Sequence, residues 1–124
     1  MIVVEVAEFF EASLDAIEQF IRAQDEDSAA RRSDRLEAEI VEFIERLEQY
    51  PKIGRRADFY AVTAEASQTW LQEVTHLAAQ AGLREFREGV LSSFLVLYAC
   101  SETRVVLLSI RHEREAKYGP DAGS

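Results

Sequence analysis

The sequence predicts an α+β domain: an N-terminal strand and a long antiparallel helical hairpin packed on a mainly antiparallel sheet, with one inserted helix. Three observations carry that prediction. Apolar residues recur at three- and four-residue steps through two long stretches of the first half, which is the spacing of a helix face. Short β-branched and apolar runs, separated by turn residues, fill the region from Leu83 to Ile110. A length of 124 residues suits one domain, and no internal repeat, low-complexity tract or linker divides residues 1–124.

The first element is a strand. Residues 2–6 read IVVEV, short and β-branched, with at least one face expected to be buried. The period then changes. Val6, Phe9, Phe10, Ser13, Leu14, Ile17, Phe20 and Ile21 place an apolar stripe along a helix over residues 7–23, with Glu8, Glu11, Asp15 and Glu18 on its other face. The polar run from Gln24 to Ser28 offers turn chemistry, with Asp27 or Ser28 as the cap of the next helix. A second stripe of Leu36, Ile40, Phe43, Ile44, Leu47 and Tyr50 ends at Pro51, which excludes its predecessor from the α region. Neither helix can bury its stripe alone, so the two close as a hairpin.

Pro and Gly mark residues 51–56 as a loop. Trp70, Leu71, Val74, Leu77, Ala78 and Ala81 form a third helical stripe, and Gly82 is placed as the left-handed residue that ends it. Three strands follow, LREFREGV, SFLVLYAC and RVVLLSI. The middle one is apolar on both alternating faces, as a strand inside a sheet should be, and Ser101-Glu102-Thr103 is a tight connection to the last. From Arg111 the chain turns polar and leaves the core, and residues 119–124 read as a flexible tail.

Charge sharpens the class. The chain has 23 acidic and 14 basic side chains, a net charge of −9. Residues 1–50 hold 14 of the acids and 5 of the bases, whereas residues 51–124 are neutral with 9 of each. A protein whose main task is to coat a phosphate backbone carries a basic excess, so that class is disfavoured. No apolar run reaches the length of roughly 18 residues that a membrane span requires. The opening lacks the basic start and small-residue cleavage site of a signal peptide, and Cys100 is the single cysteine. A cytoplasmic protein with no membrane partner is the expectation.

Common chemical motifs are missing. His76, on a helix, and His112, after a strand, give with Cys100 no metal-ligand spacing, and no glycine-rich phosphate loop or nucleophile elbow occurs. Neither metal nor cofactor is expected, and most carboxylates read as solvated helix faces. One basic group stands out. Arg84 and Arg87 open the late sheet, Arg104 starts its last strand, and Arg111, His112, Arg114 and Lys117 follow that strand's end. Such residues serve as strand-end charges that keep an edge soluble, as a patch for a partner's phosphates, or as an RNA-cleaving set in which His112 transfers protons. Cys100 and Trp70 read as core residues.

Five segments in order also resemble a known family. They are the short strand running into an acidic helical hairpin, Tyr50-Pro51-Lys52-Ile53-Gly54-Arg55, Gly82-Leu83-Arg84-Glu85-Phe86, Phe94-Leu95-Val96-Leu97-Tyr98, and the run from Val105 through Ile110 to Arg111-His112-Glu113-Arg114. Together they resemble the RelE/ParE superfamily of type II toxins over the chain up to residue 118. Its RelE-like branch cuts messenger RNA on the ribosome, and its ParE-like branch poisons DNA gyrase by binding. In the RelE-like branch an Arg often stands where this chain has Leu95, so the resemblance is closer to the ParE-like branch. The acid excess weighs the same way, because docking on ribosomal RNA opposes long-range repulsion.

The resemblance implies a toxin of a plasmid-stabilisation type, with no cofactor, held by a cognate antitoxin whose C-terminal segment folds as it wraps the hairpin and sheet. It places target binding at Arg84, Arg111, His112, Arg114 and Lys117, and antitoxin binding at Phe9, Phe10, Phe43 and Ile44 together with the basic residues of the sheet. The alternatives it leaves are a RelE-like ribonuclease using Arg84, His112 and Arg114, with ribosome and mRNA as partners, and a non-toxic relative that retains antitoxin binding. The family usually has about ten residues between the G-R loop and the G-L-R-E strand; here a further helix, around residues 64–81, is inserted.

Overall fold

The computed structural model describes residues 2–57 and 68–112, which form β1 (Val3–Val6), α1 (Glu8–Gln24), α2 (Glu26–Leu47), β2 (Arg55–Arg56), α3 (Gln68–Gln80), β3 (Glu85–Val90), β4 (Phe94–Cys100) and β5 (Arg104–His112). The strands make one sheet in the order β1-β5-β4-β3-β2. β1 runs parallel to β5, and the other three pairings are antiparallel. The α+β architecture therefore stands as read from the sequence.

Alternation along β4 and β5 builds two cores. Val96, Tyr98, Cys100, Val105, Leu107 and Ile110 face the hairpin, where they meet Phe10, Leu36, Ile40, Phe43 and Leu47. Leu97, Ala99, Val106 and Leu108 face the other way, against Trp70, Val74 and Ala78 of α3. The inserted helix thus covers the second face of the sheet, which is why β4 is apolar on both sides. At roughly 1.5–3 kcal/mol for each large apolar side chain taken from water, these two layers are the main source of stability.

Helix ends follow local chemistry, with one change from expectation. The cap of α2 is Asp25, whose side chain accepts from the Asp27 amide at 3.1 Å and from the Ser28 hydroxyl at 2.9 Å. An extended backbone at Asp25 lets its carboxylate reach forward, so Asp27 and Ser28 become the capped residues. α2 ends at Leu47, three residues before Tyr50, in a turn that carries the chain to Pro51. At the end of α3, Gly82 takes φ of 72°, the Gly82 amide donates to Ala79, and the Leu83 amide donates to Ala78, the paired bonds of a Schellman cap.

The sheet's edges depart from the sequence reading. β1 buries neither face: only Val4 is half-buried, and Val3, Glu5 and Val6 are exposed. It is an edge strand, and β-branching alone does not distinguish edge from centre. It pairs with β5 only as far as Leu107, after which α1 packs against β5. Phe9 joins the α3-side core and Phe10 the hairpin-side core, so α1 reaches both layers. At the opposite edge Arg55 and Arg56, read as loop, form β2 against β3. β5 also continues through Arg111 and His112.

Candidate functional site

The predicted basic residues fall at two ends of the sheet. β3, β4 and β5 form a meander, so β3 and β5 point the same way. Glu85, Cys100 and Val105 lie in one cross-strand row; Val90, Leu95 and Arg111 lie in another. Arg84 is exposed just before the first row, and His112 follows the second, paired with Phe94. At about 3.3 Å per residue the two are about 25 Å apart. Arg84 and His112 are not brought together: the start of β3 and the end of β5 belong to opposite ends of the sheet. Arg114 and Lys117 lie outside the described residues.

Arg111 and His112 are half-buried. The Arg111 guanidinium donates to the His112 carbonyl at 3.3 Å, and the His112 ring meets Phe94 edge-on with centroids 5.3 Å apart. Leu95, at the position where the RelE-like branch often has Arg, is buried opposite Arg111.

The four apolar residues expected to receive a partner are largely occupied. Phe10 and Phe43 are 2% and 6% exposed, and Phe43 sits edge-on to Tyr98 with centroids 5.9 Å apart. Phe9 and Ile44 are half-buried against the two cores. None of the four is an open surface in this conformation. Helical periodicity identified them correctly as a stripe, and a stripe faces the core first. The large apolar side chains that stand out from the described surface include Phe20, Val41, Tyr50, Ile53 and Val90.

A polar cluster that the sequence reading did not assemble lies on the hairpin side of the sheet, under the loop after α2. The Gly54 amide donates to the Tyr98 hydroxyl at 2.9 Å, and Arg87 Nη1 donates to the Gly54 carbonyl at 2.6 Å. Glu85 accepts from Arg87 and lies 3.4 Å from the Lys52 ammonium. The Cys100 thiol points to the same carboxylate at 3.9 Å. The signal was present in the alternation: Glu85 and Arg87 share a face with Tyr98 and Cys100 on the next strand. Gly54 itself is fixed by space, because an added Cβ would lie 2.6 Å from the Glu88 carbonyl oxygen and 2.7 Å from the Tyr98 hydroxyl.

Electrostatics in this cluster favour holding over reacting. Burial pushes the Tyr98 phenol up to about 12. Burial, and then the neighbouring Glu85, also raise the Cys100 thiol. The hydrogen bond from Arg87 holds the Glu85 carboxyl below its ordinary range. At neutral pH the cluster is therefore a thiol, a phenol and a carboxylate neutralised by Arg87 and Lys52, with no activated nucleophile or base. It clamps the 51–54 loop to the sheet. No group of three His, Cys, Asp or Glu side chains among the described residues is arranged to hold a metal, and no described helix is long and apolar enough to cross a membrane.

A comparison with curated proteins found no match. The family model for the ParE toxin of the parDE type II toxin–antitoxin system matches residues 4–117, spanning the hairpin, the clamped loop, the inserted helix and the sheet. The chain belongs to the ParE toxin family of type II toxin–antitoxin systems.

Proposed function

We propose that this toxin acts in the cytoplasm by binding DNA gyrase, cuts no RNA, and is neutralised by a cognate antitoxin. The observation that supports the reading is the placement of Arg84 and His112 at opposite ends of the sheet, which separates Arg84 from the rest of the ribonuclease set, His112 and Arg114. General acid–base cleavage needs its proton-transfer group and its phosphate-binding cation within hydrogen-bond reach of one substrate. Two further features support it. Leu95 offers no charge to a phosphate, and the acidic hairpin opposes approach to ribosomal RNA.

The test has two readouts from one preparation. Purified protein is expected to inhibit gyrase supercoiling, and controlled expression in cells is expected to stop growth without new transcript ends. Transcript cleavage that disappears in His112→Ala would establish the ribonuclease in its place. Loss of both effects with antitoxin binding retained would identify a non-toxic relative.

A further inference from the structure

The β2 edge places two arginines in one cross-strand pair. Arg56 lies directly opposite Arg87 in the antiparallel register, so the two side chains emerge on one face of the sheet. Like charges placed there oppose folding. Arg87 is compensated by Glu85 and by the Gly54 carbonyl. Arg56 is exposed and has no ion-pair partner among the described residues, and Lys52 adds a third cation beside Glu85. Arg55, on the other face of the strand, is 61% exposed and lies 3.6 Å from the nearly buried Glu88 carboxylate. In a chain of net charge −9, Lys52, Arg55, Arg56 and Arg87 outnumber Glu85 and Glu88 among the described residues of this edge.

We infer that Arg56, backed by Arg87 and Lys52, receives an acidic side chain of the antitoxin. The inference rests on the toxin–antitoxin reading above and names the chemistry of the partner at one position. Charge complementarity selects the occupant. A nucleic acid duplex presents a charge about every 1.7 Å and would bring many phosphates against the acidic hairpin, whereas a peptide brings one or two carboxylates to a patch of this size. Within a Debye length of about 8 Å the local cations dominate over the distant acids.

The experiment uses the full chain and, as probe, the product of the reading frame adjoining its gene, with Arg56→Glu and Arg56→Lys variants. Arg56→Glu replaces a like-charge opposition by an attractive pair with Arg87, so its melting temperature is expected to rise by about 2 °C. Its affinity for the antitoxin is expected to fall about tenfold or more, with a flatter salt dependence, while Arg56→Lys keeps both near the parent values. A complex that forms equally well with Arg56→Glu overturns the inference and leaves the toxin–antitoxin reading standing. No complex with the parent chain overturns both. An Arg56-dependent dimer of the toxin alone, or Arg56-dependent binding of a labelled 20-nucleotide DNA or RNA, also overturns the choice of partner.

Discussion

Tyr98→Phe should change the sign of its effect on stability as pH rises. The Tyr98 side chain is fully buried and its hydroxyl accepts the Gly54 amide at 2.9 Å. Removing that oxygen leaves a part-buried donor unpaired, a loss of about 1–2 kcal/mol near neutrality. Alkali acts in the opposite direction. The phenol's ordinary value is 10.0, and burial raises it to about 12 in the folded chain. A raised value means that the folded state retains the proton; the contribution is complete below pH 10 and is lost as pH rises through the folded value. Two units at about 1.36 kcal/mol each amount to about 2.7 kcal/mol in all, of which about 1.4 kcal/mol is gone at pH 11 and about 2.3 kcal/mol at pH 12. The parent and Tyr98→Phe stability curves should therefore cross near pH 11. Urea denaturation followed by circular dichroism, repeated from pH 8 to pH 11.5, measures the gap directly. A gap below about 0.5 kcal/mol at pH 8, or one that does not narrow by pH 11, would refute the clamp or the burial that raises the phenol.

Other positions test the packing around the same sheet. A Cβ at Gly89 would lie 2.1 Å from the Phe43 ring, so Gly89→Ala should lose about 1–3 kcal/mol in denaturant titrations, and much less in a Phe43→Leu background; additive losses would disprove the contact. Trp70, the single tryptophan, donates to the Ser109 hydroxyl at 3.3 Å, and Ser109 lies 3.4 Å from the Ser13 hydroxyl. Ser109→Ala should shift the Trp70 emission and lower stability by about 1 kcal/mol, and an unchanged spectrum would show that α3 is seated without that bond. Glu85, held below its ordinary carboxyl value, contributes stability that is complete above pH 4.5 and lost as pH falls through the folded value. Glu85→Gln should therefore lose about 1 kcal/mol at pH 7 and show a shallower acid limb than the parent; parallel limbs would exclude the pairing with Arg87 and Lys52.

Much of this fold is legible because its elements obey strong local rules. The two-sided apolar run of β4, the Gly82 cap and the paired stripes of the hairpin each require one backbone state. The edges are less legible because little side-chain burial constrains them. β2 has two residues, both arginine, and acquires its strand geometry from β3. β1 is β-branched like a central strand, yet only Val4 turns partly inward. The placement of the candidate site residues is less legible for another reason. Arg84 and His112 are near the ends of successive strand segments, but a three-strand meander places the start of its first strand and the end of its third at opposite ends of the sheet. Chain direction, which the hairpin connection at Ser101-Glu102-Thr103 already defines, carries that information; residue type does not.

Covering both sheet faces restricts where the toxin can meet other molecules. The hairpin occupies one face through Phe10 and Phe43, and α3 occupies the other through Trp70, Val74 and Ala78. Opening either face would expose packed side chains at roughly 1.5–3 kcal/mol each, more than a few polar contacts return. Contacts made without unfolding are therefore confined to the two ends of the sheet, its two edges and the outer surfaces of the helices. Of these, the β2 edge carries more bases than acids among its described residues and places Arg56 opposite Arg87. The outer hairpin surface has the opposite sign, since all of the chain's acid excess lies on residues 1–50. A partner that neutralises the toxin by complementary charge would meet these two surfaces with opposite charges of its own. That requirement suits an extended segment crossing from one surface to the other better than a compact domain resting on either.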